Sequence, residues 1–141
     1  MGALNAITHE LVTVTNDAYI NAQSVCELLW KITQLNLETT ITLVLDNARY
    51  QKCTVVKELA QKLNIELLFL PAYSPNLNLI ERLWKFVKKQ CLYSKYYEDF
   101  DAFKNSIMNC LQQTHTTHRQ ELNSLLTLKF QTFKKSQFMT L

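Results

Sequence analysis

"ITLVLDNARYQKCTVVKELAQKLNIELLFLP", residues 41–71, opens and closes on short, almost wholly apolar runs with a helix-like segment between them. The first run, Ile41 to Leu45, is rich in β-branched and large aliphatic residues, the pattern of a strand covered on both faces. A helix is predicted from about Cys53 to Leu63, and Asn64 leads into a second buried strand over residues 65–71. Strand, helix and strand in that order imply a parallel pair joined by a right-handed crossover. Both carboxyl ends of such a pair lie on one edge of the sheet, where open α/β sheets gather their ligands.

Downstream, "LPAYSPNLNLIERLWKFVK", residues 70–88, holds both prolines of the chain. A helix follows from about Leu79 to Leu92, with Ile80, Leu83, Trp84, Val87 and Cys91 in one apolar stripe. The chain stays helical from "DFDAFKNSIMNCLQQ" onward. Upstream, residues 3–15 alternate loosely around a polar "THE" turn and suit a β-hairpin. A helix capped by Asn16 or Asp17 is then expected, its apolar face formed by Ile20, Val25, Leu28, Leu29 and Ile32. The class is α/β: a mixed sheet in which an antiparallel hairpin feeds parallel strands, flanked by helices.

The 141 residues fit one domain with a single substantial core. No apolar run approaches the ~20 residues of a membrane span, and the N-terminal residues lack the pattern of a signal peptide, so a cytosolic protein is expected. Cys26, Cys53, Cys91 and Cys110 are widely spaced without a CxxC pair, which argues for reduced thiols over zinc or disulfides. Gly occurs once, at Gly2, against a usual ~7%, so turns must be made by Asn, Asp, Ser and Thr.

Asp46 directly follows the first strand and Glu81 lies in the first turn of the helix behind the prolines, with thirty-four residues between them. Each has an ordinary structural use. Asp46 or Asn47 suits a cap for the next helix. Asn78 and Glu81 have capping-box spacing, and Glu81 with Lys85 is an i, i+4 pair. Together, two acids brought to one sheet edge repel unless a cation sits between them, and a divalent ion with oxygen ligands is the usual solution. Pro71 and Pro75 stiffen the approach, so that Glu81 faces the strand end.

These motifs resemble the second half of the catalytic domain of DDE transposases, in the bacterial insertion-sequence branch of the mariner superfamily. "LDNARYQ" is similar to that family's LDNAxxH strand end, and "LPAYSPNLNLIE" to its LPxYSPxLNPIE segment, with the family's spacing; the likeness runs over about residues 2–95. It implies an RNase H-like fold in which Asp46 matches the second catalytic acid and Glu81 the third. Both would hold magnesium, two ions in the complete site with manganese as a substitute, for in-line cleavage of DNA and strand transfer without a covalent enzyme intermediate. Gln51, Asn76 and Leu79 stand where His, Asp and Pro are common.

The family's first Asp lies on an opening strand upstream of "GALN", and neither Glu10 nor Asp17 matches its position. Residues 1–95 are therefore expected to form a catalytic domain truncated at its N-terminus, with the first strand missing, and residues 96–141 a helical extension of it. Such a chain is expected to be inactive until an upstream transposase segment supplies the acid. The alternative is a non-catalytic DNA-binding or subunit-interaction remnant. DNA, as transposon ends and target, and further copies of the chain are the implied partners, in a bacterial cytoplasm. Arg82, Lys85, Lys88 and Lys89 concentrate positive charge beside Glu81 and suit phosphate contacts. His115 and His118 read as solvated rather than metal-binding, and the terminal "KFQTFKKSQFMTL" is left open between a packed helix and a DNA contact.

Overall fold

A computed structural model describes residues 1–74, 77–93, 95–114 and 116–129. The hairpin comes first. Strands β1 (Gly2–Leu4) and β2 (Leu11–Thr13) pair antiparallel, Gly2 opposite Thr13 and Leu4 opposite Leu11. The Asn5 side chain closes the loop, accepting from the Ile7 and Thr8 N–H groups at 2.9 and 3.0 Å. At Gly2 the packing is close: a Cβ would sit 3.2 Å from the Val12 carbonyl and 3.3 Å from the Trp84 ring, so those neighbours would have to give by a few tenths of an ångström. Trp84 is thus a packing residue, as its place in the stripe suggests.

Helix α1 spans Ala22–Thr33. It starts later than the sequence suggests because Asn21, rather than Asn16 or Asp17, is its cap: the Asn21 side chain accepts from Gln23 and Ser24 N–H, and Ser24 Oγ accepts from Asn21 N–H. That reciprocal pair satisfies two orphan donors at once, leaving Ile20 outside the helix. Lys31 Nζ donates to the Thr13 carbonyl at 3.0 Å and fastens α1 to the hairpin.

Strand β3 (Ile41–Leu45), helix α2 (Thr54–Lys62) and strand β4 (Ile65–Phe69) form the expected crossover. The strands are parallel, with Ile41 opposite Ile65 and Leu45 opposite Phe69. Asn36 and Asn64 take positive φ, +50° and +58°, at the ends of α1 and α2, doing the work that glycine usually does there. Helices α3 (Leu79–Cys91), α4 (Phe100–Gln112) and α5 (Arg119–Leu125) complete the described chain.

Two cores result. Val14, Val25, Leu28, Leu29, Ile32, Val56, Ala60 and Ile65 join α1 and α2 to one face of both strand pairs, with Ala3, Val12, Ile41, Leu43 and Leu67 packed against them. Leu83, Phe86, Val87, Cys91, Cys110, Leu122 and Leu126 join α3, α4 and α5 over the other face of the hairpin, at Leu4 and Leu11. Phe86, absent from the predicted stripe, is among the most buried residues of α3, and half-buried His118 makes a T-shaped ring contact with it, centroids 5.1 Å apart.

Two expectations need correction. The strands form two two-stranded sheets, β1–β2 and β3–β4, with no ladder between them among the described residues. Nor is β3 covered on both faces: α3 lies on the hairpin, so Val44 and Leu68 stay 40% and 50% exposed, and Thr42 Oγ1 donates to Glu66 Oε2 at 3.0 Å on the same outer face. His115, Pro75, Asn76 and residues 130–141 lie outside the described residues. Among the described residues no helix is long and apolar enough to cross a membrane.

All four cysteines are free thiols. Burial pushes Cys110 from 9.0 up to about 11, with Cys91 beside it adding to the rise. The neutral thiol is the form the fold favours, so its contribution is complete below pH 9.0 and is lost as pH climbs through about 11. Urea unfolding is expected to show stability falling across that window, and iodoacetamide at pH 8 should leave Cys110 unlabelled in the native protein. Leu29, fully buried, should cost about 2–5 kcal/mol on truncation to Ala, read as a lowered urea midpoint with unchanged slope.

Candidate active site at the strand ends

Asp46 leaves the sheet one residue beyond Leu45. The two strand ends are tied there by the Leu70 N–H, which donates to the Leu45 carbonyl at 2.8 Å. Asp46 Oδ1 accepts from the Ala48 N–H at 3.2 Å, and the Ala48 carbonyl accepts from Gln51 and Lys52 N–H at 3.1 and 3.3 Å. This is a tight turn, and it folds Tyr50 and Gln51 back toward the acid. Asp46 does not cap α2: the cap position is Cys53, which makes no side-chain cap bond.

Glu81 sits in the first turn of α3, half-buried, its own N–H donating to the Asn78 carbonyl at 3.1 Å. Neither structural use foreseen for it is realised. The Asn78 side chain makes no cap bond, so no capping box forms. No ion pair joins Glu81 to Lys85; the ion pairs among the described residues are Lys31–Glu27 and Lys104–Asp17. The carboxylate is left to the field of the helix N-terminus, favourable by ~0.3–1 kcal/mol.

Tyr50 lies within electrostatic reach of both acids. Its phenol is pushed above its ordinary value first by burial and then by the Asp46 carboxylate; a hydrogen bond from Gln51 opposes the rise, and Glu81 adds to it. One hydroxyl therefore lies in the field of both carboxylates. Gln51 is only 8% exposed and its Oε1 has no hydrogen-bond partner, a buried acceptor that costs ~1–3 kcal/mol when unmatched. The sequence marks Gln51 as a departure from its pattern but gives Tyr50 no part; the signal was an aromatic residue four positions past Asp46 in a turn too short to send it away. Among the described residues no group of three His, Cys, Asp or Glu side chains gathers as a metal cage.

The basic residues divide. Lys85, Lys88 and Lys89 are exposed along α3 and pair with no acid among the described residues. Arg82 is half-buried, and its Nη1 donates to the Leu125 and Thr127 carbonyls at 3.2 and 2.9 Å, holding the end of α5 against α3. Lys52 and Lys57, which the sequence does not single out, lie 5.4 and 5.9 Å from the centre of the Phe69 ring. Between β4 and α3, Tyr73 is fully exposed at φ +59°, a left-handed conformation that costs a residue with a Cβ ~1–2 kcal/mol.

The hairpin, the parallel strand pair and five helices make an α/β domain with Asp46 one residue past the carboxyl edge of β3. Residues 1–104 match the family model described as DDE superfamily endonuclease, and the chain belongs to that family. Its fold is that of a transposase catalytic domain: it aligns with the crystal structure of the catalytic domain of Mos1 mariner transposase at TM-score 0.55 and 15% identity, covering 86% of this chain and 69% of that one. The structure of the Mos1 transposase catalytic domain and Raltegravir with Mg aligns equally well, at TM-score 0.55, 13% identity, and coverage of 88% and 70%. An uncharacterized protein of Sinorhizobium fredii, y4pE/y4sA, is 37% identical over 59 residues, 42% of each chain. The chain thus spans well under half of that relative.

Arg82→Ala is expected to free the end of α5. Two lost charge-assisted hydrogen bonds should lower stability by about 1–3 kcal/mol, with the amide of Leu126 exchanging faster than in the parent while those of α1 are unchanged, as hydrogen exchange would show.

Proposed function

We propose that this chain is the catalytic part of a DNA transposase of the insertion-sequence kind, acting in a bacterial cytoplasm by metal-dependent cleavage and strand transfer of DNA. The observation that carries the reading is that Tyr50, in the turn after Asp46, feels the charge of both Asp46 and Glu81, while Glu81 makes neither a capping box nor an ion pair with Lys85. Carboxylate oxygens are the donors that magnesium and manganese favour, so the pair fits such an ion, and Asp46 and Glu81 would hold it. When bound, the metal lowers the pKa of an attacking water or 3′ hydroxyl and stabilises the leaving oxygen.

The remaining chemistry belongs to the chain. Lys85, Lys88 and Lys89 run along α3 from the acid outward and would seat backbone phosphates without reading base sequence. Arg82, by holding α5 against α3, fixes the helix on which Glu81 stands, and its exposed side would add to the same phosphate path. The family's first acid would come from a segment outside these 141 residues, as a strand beside β1 or β3. Support for that placement lies in the two sheets: both sit under α1 and α2 and share one core, yet no ladder joins them among the described residues. A second copy of the chain would complete the assembly that holds two DNA ends. The lack of a third clustered acid among the described residues equally favours a non-catalytic DNA-binding or subunit-interaction role for the chain by itself.

The test combines the full chain, a peptide supplying a strand that ends in Asp, DNA carrying the element's ends, and magnesium. Nicking is expected only with all four present, and Asp46→Asn or Glu81→Gln should reduce it to background. Nicking that survives either substitution overturns the site. Lys85→Ala and Lys88→Ala should each weaken DNA binding to a similar degree across sequences and lower the slope of log K against log salt by about 1, measured by fluorescence anisotropy.

A further inference from the structure

Tyr73 does nothing visible for the fold. Its side chain is fully exposed, and it makes no hydrogen bond or ring contact with a described residue. Its backbone is held at φ +59°, where Gly or Asn would sit with less strain. A bulky side chain kept in a conformation that disfavours it, and giving no packing in return, points outward to a ligand.

Its position says which ligand. The turn at Ala72 and Tyr73 follows Pro71 at the end of β4, and the loop runs on through Leu77, whose N–H donates to the Ser74 carbonyl at 3.1 Å, into Asn78 and Glu81. Tyr73 therefore projects from the same short connection that delivers one of the two acids. The neighbouring elements at this edge of the sheet present cations: Arg49, exposed in the turn after Asp46, and Lys52 and Lys57 around the Phe69 ring. An exposed aromatic face on the loop that leads to Glu81, with cations on the elements flanking the end of β4, suits a flat π system with a phosphate attached. It does not suit an apolar protein surface, which would need a contiguous apolar patch rather than a single ring.

We propose that Tyr73 is a stacking platform for an unpaired nucleobase adjoining the phosphodiester cut at Asp46 and Glu81. The inference rests on the DNA-cleaving reading above and adds a subsite to it. The ring takes the face of a base extruded or frayed at the DNA end, while Arg49, Lys52 and Lys57 take the phosphates on either side. Stacking of this kind tolerates any base, because each has a π face.

The experiment uses the full chain, without metal, and two DNAs of one sequence: a duplex ending in a short single-stranded overhang that carries 2-aminopurine, and the same duplex fully paired. Wild type should quench the 2-aminopurine and prefer the overhang. Tyr73→Ala should bind the overhang DNA about 5- to 100-fold more weakly and lose the quenching, with the paired duplex bound as before; Tyr73→Phe should keep both properties. The proposal is overturned if Tyr73→Ala binds the overhang as wild type does, or if it weakens both DNAs alike. Should wild type bind neither DNA, the DNA reading itself fails and the subsite with it. Should nicking depend on Asp46 while Tyr73→Ala leaves overhang binding untouched, only the subsite fails.

Discussion

The register of β3 against β4 is the constraint on which the site depends. Leu45 lies opposite Phe69, and the Leu70 N–H closes onto the Leu45 carbonyl, so the two strands stop together. A slip of one residue would turn every side chain of a strand to the other face, burying Thr42 and Glu66 among α1 and α2 and exposing Leu43 and Leu67. The apolar core therefore enforces the register, and the register sets Asp46 one residue past the edge from which the loop to α3 departs. Packing energy spread over the aliphatic core is what places Asp46.

Much of this is legible in the letters because it depends on local pattern. The runs at Ile41–Leu45 and Ile65–Phe69, the helical period between them and the prolines behind them fix the crossover, and the crossover fixes where Asp46 emerges. What the letters withhold is tertiary. Asn16, Asp17 and Asn21 are all sound caps, and the choice of Asn21 turns on Ser24 being in place to return the hydrogen bond. Likewise, Asn78 and Glu81 have the spacing of a capping box, yet the box does not form. A motif read as structural support in sequence thus leaves its acid available in the fold, and no spacing rule could have chosen between the two outcomes.

The uncovered face of β3–β4 follows from where α3 goes. Trp84 packs against the backbone at Gly2, and Leu83 and Phe86 join α4 and α5 over Leu4 and Leu11. The helix carrying Glu81 is thereby committed to the hairpin. The outer side chains Thr42, Val44, Glu66 and Leu68 of the parallel pair stay in water. Ile41–Leu45 reads as doubly buried because four of its five residues are apolar, but composition records only how many apolar residues a strand carries, not which neighbour arrives to cover them.

Tyr50 and Gln51 show where stability has been given up. A phenol in the field of two carboxylates, beside an amide whose Oε1 is buried without a partner, is a poor arrangement for folding, and apolar side chains of similar size would fill the same space at lower cost. The other buried polar side chains behave differently: Ser24 closes the cap of α1, and Thr114 donates to the Leu111 carbonyl. The one unmatched buried atom among the described residues thus falls five residues from Asp46, inside the turn that the acid itself initiates. Among the described residues the unmatched buried acceptor falls in the turn after Asp46 and the strained, exposed Tyr73 in the loop before Glu81, and departures from local rules of this kind gather where a chain serves something besides folding.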